Sequence, residues 1–144
     1  MNVETILRNK GNRVATIRPE ATVTDAVAML NRERIGALVV SENGQGVDGI
    51  LSERDIVMAL ADHGADLLSR PISAIMTRNV LTCEPSDTVA ELMAEMTSRR
   101  IRHFPVMSDG RLCGIVSIGD LVKSRLDEVE YEANSLRSFI AGAA

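Results

Sequence analysis

One phrase is written twice in this chain. "GILSERD" runs from Gly49 to Asp55 and "GIVSIGD" from Gly114 to Asp120; each closes a short apolar run, then offers a serine and, three residues on, an aspartate. The copying reaches far upstream. "VATIRPEATVTDAVAMLNRERIGALVV" from Val14 to Val40 aligns without a gap on "VLTCEPSDTVAELMAEMTSRRIRHFPV" from Val80 to Val106. Val14, Thr16, Pro19, Thr22, Val23, Arg34, Ile35 and Val40 recur at a shift of 66. After one loop deletion, Gly49, Ile50, Ser52, Asp55 and Val57 recur at a shift of 65. Gapless runs on both sides of a single deletion identify a duplicated unit, and a duplication of this size constrains the architecture before any other feature is read.

Each unit opens with a short strand, Val14 to Ile17 or Val80 to Cys83, stopped soon after by a proline. Thr22 with Asp25 and Thr88 with Glu91 match the Ser/Thr-x-x-acid pattern of a helix start. Apolar residues follow at Val23, Ala26, Val27 and Leu30, and at Val89, Leu92, Met93 and Met96, the spacing of one buried helix face. "GALVV" and "RHFPV", polar turns with glycine, then "VDGIL" and "LCGIV" read as strand, turn, strand. Ser52 and Ser117 open a second helix. The unit is β-α-β-β-α, too small to be stable alone, so the expected α+β fold packs two copies about a pseudo-two-fold axis. The expected organisation is a lead-in helix over 1–13, repeats over 14–62 and 80–125, a linker over 63–79, and a C-terminal amphipathic helix and tail over 126–144. In that last region Val122, Leu126, Val129, Ala133, Leu136 and Ile140 alternate spacings of four and three. Such a stripe packs either on its own domain or on another subunit.

Composition narrows the function. Hydrophobic residues are 45% of the 144 but aromatic ones only 2%, so the core is aliphatic. A net charge of -4 disfavours binding to polyanions, and the lack of aromatic rings disfavours a single-strand nucleic-acid platform. No apolar run has the length of a membrane span, and the start "MNVETILRNKGNR" lacks a signal peptide's apolar centre. Cys83 and Cys113 form no CxxC pair and read as small hydrophobes in a reducing compartment, the cytoplasm. Neither a nucleophile elbow nor a P-loop nor a zinc motif is present; Asp62, His63 and Asp66 have no specific metal spacing, and His63 reads as a loop residue. A non-catalytic binding module is therefore expected, and the rival is an interaction protein with degenerate clefts.

Helix capping alone accounts for Ser-x-x-Asp at a strand-to-helix junction. Three features point further. Both copies carry Asp, which is short for the reciprocal capping bond that Glu or Gln makes. Gly49 and Gly114 remove a side chain where a flat ligand approaches the backbone. A helix N-terminus attracts anions, a hydroxyl there bonds a phosphate or sugar oxygen, and a carboxylate accepts from a ribose cis-diol. Glycine, hydroxyl and acid together describe a nucleoside-phosphate site. Arg102 and His103, read from the residues alone, are a solvated pair next to Pro105, which marks an edge or a bulge.

On "TIRPEATVTDAV", "LTCEPSDTVAEL", "GILSERD" and "GIVSIGD", over Val14 to Arg125, the chain resembles the cystathionine-β-synthase (CBS) domain family, whose tandem pairs form Bateman modules. The short leading helix and "EVEYEANSLRSFIAG" are similar to the flanks of small stand-alone bacterial members. The resemblance implies adenosine nucleotides in two clefts between the repeats. The ligand is AMP, ADP or ATP, or alternatively NAD(H) or S-adenosylmethionine. Carried over, Ser117 and Asp120 face Thr16, Ile35, Gly36 and Ala37, while Ser52 and Asp55 face Thr82, Cys83, Ile101, Arg102 and His103, with Pro105 beside them. Arg54 is expected to serve the Asp120 cleft. Family members draw phosphate ligands from the middle strand, as a His-Arg pair does in the γ subunit of AMP-activated protein kinase. Here those positions read Arg102-His103 and Gly36-Ala37, so the Asp55 cleft is expected to take the more phosphorylated ligand. A homodimer and an unidentified regulated protein are the implied partners.

Overall fold

A polar side chain stands at the head of each of the first four α-helices. In the computed structural model, which describes residues 1–143, Asn2 caps α1 (Val3–Lys10) and Thr22 caps α2 (Val23–Glu33). Ser52 caps α3 (Glu53–His63) and Thr88 caps α4 (Val89–Arg99). In each case the side-chain oxygen accepts a backbone N–H that the helix leaves unpaired. Two 3₁₀ turns, Gly64–Ser69 and Ile72–Ala74, lead from α3 toward the second repeat.

The first repeat holds a three-stranded sheet in the order β1 (Thr16–Ile17), β2 (Ala37–Val40), β3 (Gly49–Ser52), with β1 parallel and β3 antiparallel to β2. The second repeat pairs β4 (His103–Ser108) with β5 (Arg111–Ser117). The expected strand at Val80 to Cys83 shrinks to a single bridge between Cys83 and Val106. Pro105 explains the loss. In the first repeat Val39 N donates to Ala15 O at 3.3 Å and Ser41 N to Ile17 O at 2.9 Å. Pro105 stands where Val39 does and has no N–H to give, so only the bonds through Cys83 survive: its N to Pro105 O at 3.0 Å, and Met107 N to its O at 2.8 Å. Pro105 is not at an edge, since Cys83 and β5 flank it, but the ladder shifts register just beyond, between Val106 and Met107.

The lead-in segments cross over. Val3 N donates to Asp87 O, Glu4 N to Pro85 O and Val89 N to Met1 O, so residues 1–4 bind the second repeat. Ile72 N to Ala21 O, Ser73 N to Pro19 O and Val23 N to Arg70 O repeat that pattern on the first, 69 residues later in the chain. Accordingly Val3 and Ile6 complete one aliphatic core with Val89, Leu92, Met96, Phe104, Val106, Val116 and Leu121. Ile72 and Met76 complete the other with Ile17, Ala26, Leu30, Leu38, Val40 and Leu51. Each repeat is closed by the segment that precedes the opposite one.

The second helix of the second repeat does not stop. α5 (Ile118–Ala143) runs 26 residues, about 39 Å, joining the repeat's last helix and the C-terminal stretch into one rod. Leu121 and Ser124 are buried against the body, whereas Leu126, Leu136 and Ile140 are 64, 59 and 61% exposed.

Candidate functional site

Both Ser-x-x-Asp phrases form complete reciprocal caps. Asp55 N donates to Ser52 Oγ at 3.2 Å, and Ser52 N donates back to Asp55 Oδ2 at 2.9 Å. Asp120 N and Ser117 N repeat this at 3.1 and 2.9 Å. The expectation that Asp is too short for the return bond is therefore wrong: at Ser52 an extended φ, ψ of -106°, 164° turns the N–H toward its carboxylate. Capping nevertheless commits one oxygen only. Ser52 Oγ also lies 3.0 Å from Asp55 Oδ2, while Oδ1 has just the Thr77 hydroxyl at 3.4 Å.

The two glycines serve packing rather than an open face. A Cβ on Gly49 would lie 2.7 Å from Met76 Sδ and 2.9 Å from Thr77 O; one on Gly114 would lie 2.7 Å from Leu7 Cδ2. Met76 and Leu7 hold corresponding places in the crossing lead-ins. The missing side chains admit those segments, not a ligand.

Asp55 opens on a cleft of about 790 Å³ between the repeats. From the first repeat come Gly36, Ser52, Glu53, Arg54 and Asp55; from the second come Arg100, Ile101, Arg102 and His103; between them lie Thr77, Asn79, Val80 and Leu81. Ser52, Asp55, Ile101, Arg102 and His103 thus meet as expected. Gly36 and Arg54 line this cleft, where the Asp120 cleft had been expected to receive both. Thr82 and Cys83 are not among the lining: Thr82 is exposed, and Cys83 is buried in the second core, its thiol pushed up to about 12, chiefly by burial. Pro105 and Ala37 are likewise buried, and Thr16 lies half-buried in β1. Ile35 lines a separate hollow of about 520 Å³ between α2 and α3, with Val27, Arg34 and Val57.

Sequence reasoning missed Arg100, Thr77 and Asn79. Arg100 carried a signal, recurring as Arg34; both residues end a helix in the left-handed conformation, at φ 56° and 54°. Thr77 and Asn79 correspond to Arg8 and Lys10 across the 69-residue offset of the lead-ins, a relation too weak to see without the fold.

The second carboxylate has a different neighbour. Lys10 Nζ donates to Asp120 Oδ2 at 2.8 Å and to Ile115 O at 2.9 Å, so an internal cation sits on the group that corresponds to Asp55. Burial pushes the Asp120 carboxyl up, but Lys10 and the Ser117 amide and hydroxyl outweigh it and hold the group below the usual carboxylate range. His103 lies against Gly36, where a Cβ would meet its ring at 3.5 Å. Burial lowers its pKa below the ordinary imidazole value, although Asp120 and Glu53 pull the other way. The imidazole is thus neutral near pH 7, and the cations of the Asp55 cleft are Arg54, Arg100 and Arg102.

Among the described residues no helix is long and apolar enough to cross a membrane, and no three His, Cys, Asp or Glu side chains converge as a metal site. Comparison with known proteins agrees with the duplicated architecture. The protein CBSX3 of Arabidopsis thaliana, described as a mitochondrial CBS domain-containing protein, is 38% identical over 125 residues, 84% of this chain but 61% of its own length. A CBS-domain protein of Agrobacterium tumefaciens, ATU1752, superposes with a TM-score of 0.83 at 44% identity, covering 86% of this chain and 92% of its own. The CBS domain pair of protein MJ0100, solved in complex with 5′-methylthioadenosine and S-adenosyl-L-methionine, gives a TM-score of 0.76 at 30% identity over 90% of this chain and 98% of its own. The family model for the CBS domain matches twice, over residues 6–62 and 72–127. With both of its repeats matched, the chain belongs to the CBS-domain family as a tandem pair.

Proposed function

We propose that this chain is a non-catalytic regulatory module that binds an adenosine nucleotide in the Asp55 cleft and thereby alters the activity of a partner protein. The observation that carries the reading is the juxtaposition of a carboxylate having one lightly engaged oxygen with three arginines in one cleft. Its size lies within the roughly 300–1,000 Å³ typical of small-molecule sites. Asp55 Oδ1 is available to a ribose diol. Three guanidinium groups against the two carboxylates of Glu53 and Asp55 leave a net positive lining that favours 5′-phosphates. Leu81, Val80 and Ile101 supply apolar walls for a base. The adenosine-containing ligands of the MJ0100 pair support the class of ligand. The arginines favour AMP, ADP or ATP over the cationic S-adenosylmethionine.

The Asp120 cleft is the weaker site in this reading, because a ribose there must displace Lys10. Ligand binding shifts the relation between the repeats only by its differential affinity for the two arrangements, and the regulated protein responds to that shift. A cytoplasmic setting suits the two free cysteines. Calorimetric titration with AMP, ATP, NADH and S-adenosylmethionine tests the proposal, repeated on Asp55→Ala and Asp120→Ala. Saturable binding of ATP or AMP, lost in Asp55→Ala and retained in Asp120→Ala, is expected. Folded protein that binds none of the four, or equal loss from both substitutions, would refute it.

A further inference from the structure

α5 carries an apolar stripe that its own body does not cover. Ile118 and Asp120 anchor the start of α5, and beyond them it rests on the body through Leu121 and Ser124, with Glu128 next to the N-terminus of Met1 at 3.9 Å. At about 100° per residue, Val122, Leu126, Val129, Ala133, Leu136 and Ile140 fall about 120–200° round from Ser124, on the far side of the rod. The five larger stripe residues are 40 to 64% exposed. The stripe is therefore free from its first residue, including the part rooted on the body, and it repeats every seven residues: Val122, Val129 and Leu136 on one line, Leu126, Ala133 and Ile140 on the other.

The charges that flank the stripe select an occupant. With Leu126, Ala133 and Ile140 at position a of the heptad and Val122, Val129 and Leu136 at d, position e holds Lys123, Glu130 and Arg137, and position g holds Arg125, Glu132 and Phe139. In a parallel pair each g faces the e five residues on in the other helix. Arg125 then meets Glu130, and Glu132 meets Arg137, all four ion pairs across the dimer being attractive. Arg125 rests on Glu128 at 3.2 Å within one chain and keeps N–H donors for a second partner. An antiparallel pair that buries the same stripe opposes e to e and g to g. Glu130 then lies on Glu130, Glu132 on Glu132 and Lys123 on Arg137, every one repulsive.

We propose that α5 joins two copies of this chain as a parallel two-stranded coiled coil, with both CBS pairs at the same end. The coil is short, under three heptads from Val122 to Ile140, but each strand is held helical at its root by Leu121 and Ser124.

The test uses the full chain and only exposed positions. Leu126→Ser with Leu136→Ser is expected to halve the mass measured by sedimentation equilibrium while circular dichroism of the body is unchanged. Glu130→Arg alone should weaken self-association at least tenfold, and Arg125→Glu added to it should restore association. In a Cys113→Ser background, Leu136→Cys should form a disulfide-linked dimer under mild oxidation, since like d positions meet in the parallel coil. A monomeric parent, a mass unaffected by the serine pair, or no rescue by the charge swap would overturn the proposal. Cross-linking of Leu136→Cys to Leu126→Cys in preference to itself would overturn the parallel arrangement.

Discussion

Replacing Gly49 by alanine should cost far more stability than the same change at Gly114, although the two residues occupy the same place in the repeated phrase. At both, the new methyl would intrude to 2.7 Å on a side chain of a crossing lead-in. Leu7, which meets Gly114, is half-buried and can turn its methyl groups aside. At Gly49 the second obstacle, 2.9 Å away, is the carbonyl of Thr77. That carbonyl accepts from Ile50 N at 3.0 Å while Thr77 N donates to Ile50 O at 2.9 Å, so moving it strains a closed pair of backbone bonds. Overpacking costs about 1–3 kcal/mol. Weakening a hydrogen bond adds roughly 0.5–1.5 kcal/mol. Alanine returns about 0.4–1 kcal/mol by restricting the unfolded chain. The net for Gly49→Ala is about 2–3 kcal/mol, against about 1 kcal/mol or less for Gly114→Ala. For a domain of this size the first corresponds to a fall in Tm of about 4–12 °C, the second to under about 4 °C. Urea unfolding followed by circular dichroism, at fixed protein concentration, measures both, and an unchanged m-value confirms that stability alone has moved. Gly49 is not among the cleft residues, so any loss of ATP affinity in Gly49→Ala should come together with the loss of stability, through the strained Ile50 and Thr77 that do line the cleft. An unchanged urea midpoint together with a tenfold loss of ATP affinity would show that the glycine serves a ligand after all.

Lys10→Met should release the Asp120 carboxylate, so that adenosine, which has no phosphate, titrates two sites instead of one; a stoichiometry that stays at one would refute the blocking role of Lys10. Because burial depresses the folded-state pKa of His103, its neutral form contributes stability that is complete above about pH 6.5 and declines as the pH falls from there toward the folded value. His103→Gln should flatten the corresponding part of the urea midpoint's pH profile, and an unchanged slope between pH 6.5 and 5 would count against the buried neutral imidazole. Dithionitrobenzoate should modify one thiol of the native protein, Cys113, and reach Cys83 only at the rate of unfolding; two fast-reacting thiols would contradict the packing of the second core.

The repeat made most of the backbone legible. Helix starts at Val23, Glu53 and Val89 fell beside the Ser or Thr expected to cap them, and the buried faces through Ala26, Leu30, Leu92 and Met96 followed the apolar spacing. Periodicity tells which face of an element is covered, not what covers it. That is why Gly49 and Gly114 were misread: their neighbours, Met76 and Leu7, come from segments that looked like linker and lead-in. Lys10 on Asp120 was invisible for the same reason, the two lying 110 positions apart in sequence. Of the Asp55 cleft, the residues carried by the repeated phrase and the middle strand were found. Those contributed by the crossing segment, Thr77 and Asn79, were not. At Cys83 the placement carried over from the family resemblance differs from the lining: Leu81 lines the cleft while the thiol turns into the core, in keeping with its reading as a small hydrophobe.

The crossed lead-ins set an order on assembly during synthesis. Residues 1–10 leave the ribosome well before the carbonyls of Pro85 and Asp87 and the side chains of Phe104 and Leu121 that receive them. The first repeat is completed earlier, as soon as Ile72 and Met76 appear. Until residue 121 is made, Val3, Ile6 and Leu7 have no native core to enter and are sticky apolar surface beside a finished half-domain. Contacts this distant in sequence form slowly. Completion of the second repeat therefore depends on residues 1–7, and a pause in translation after the first repeat would prolong the exposure of the very segment needed to finish the second.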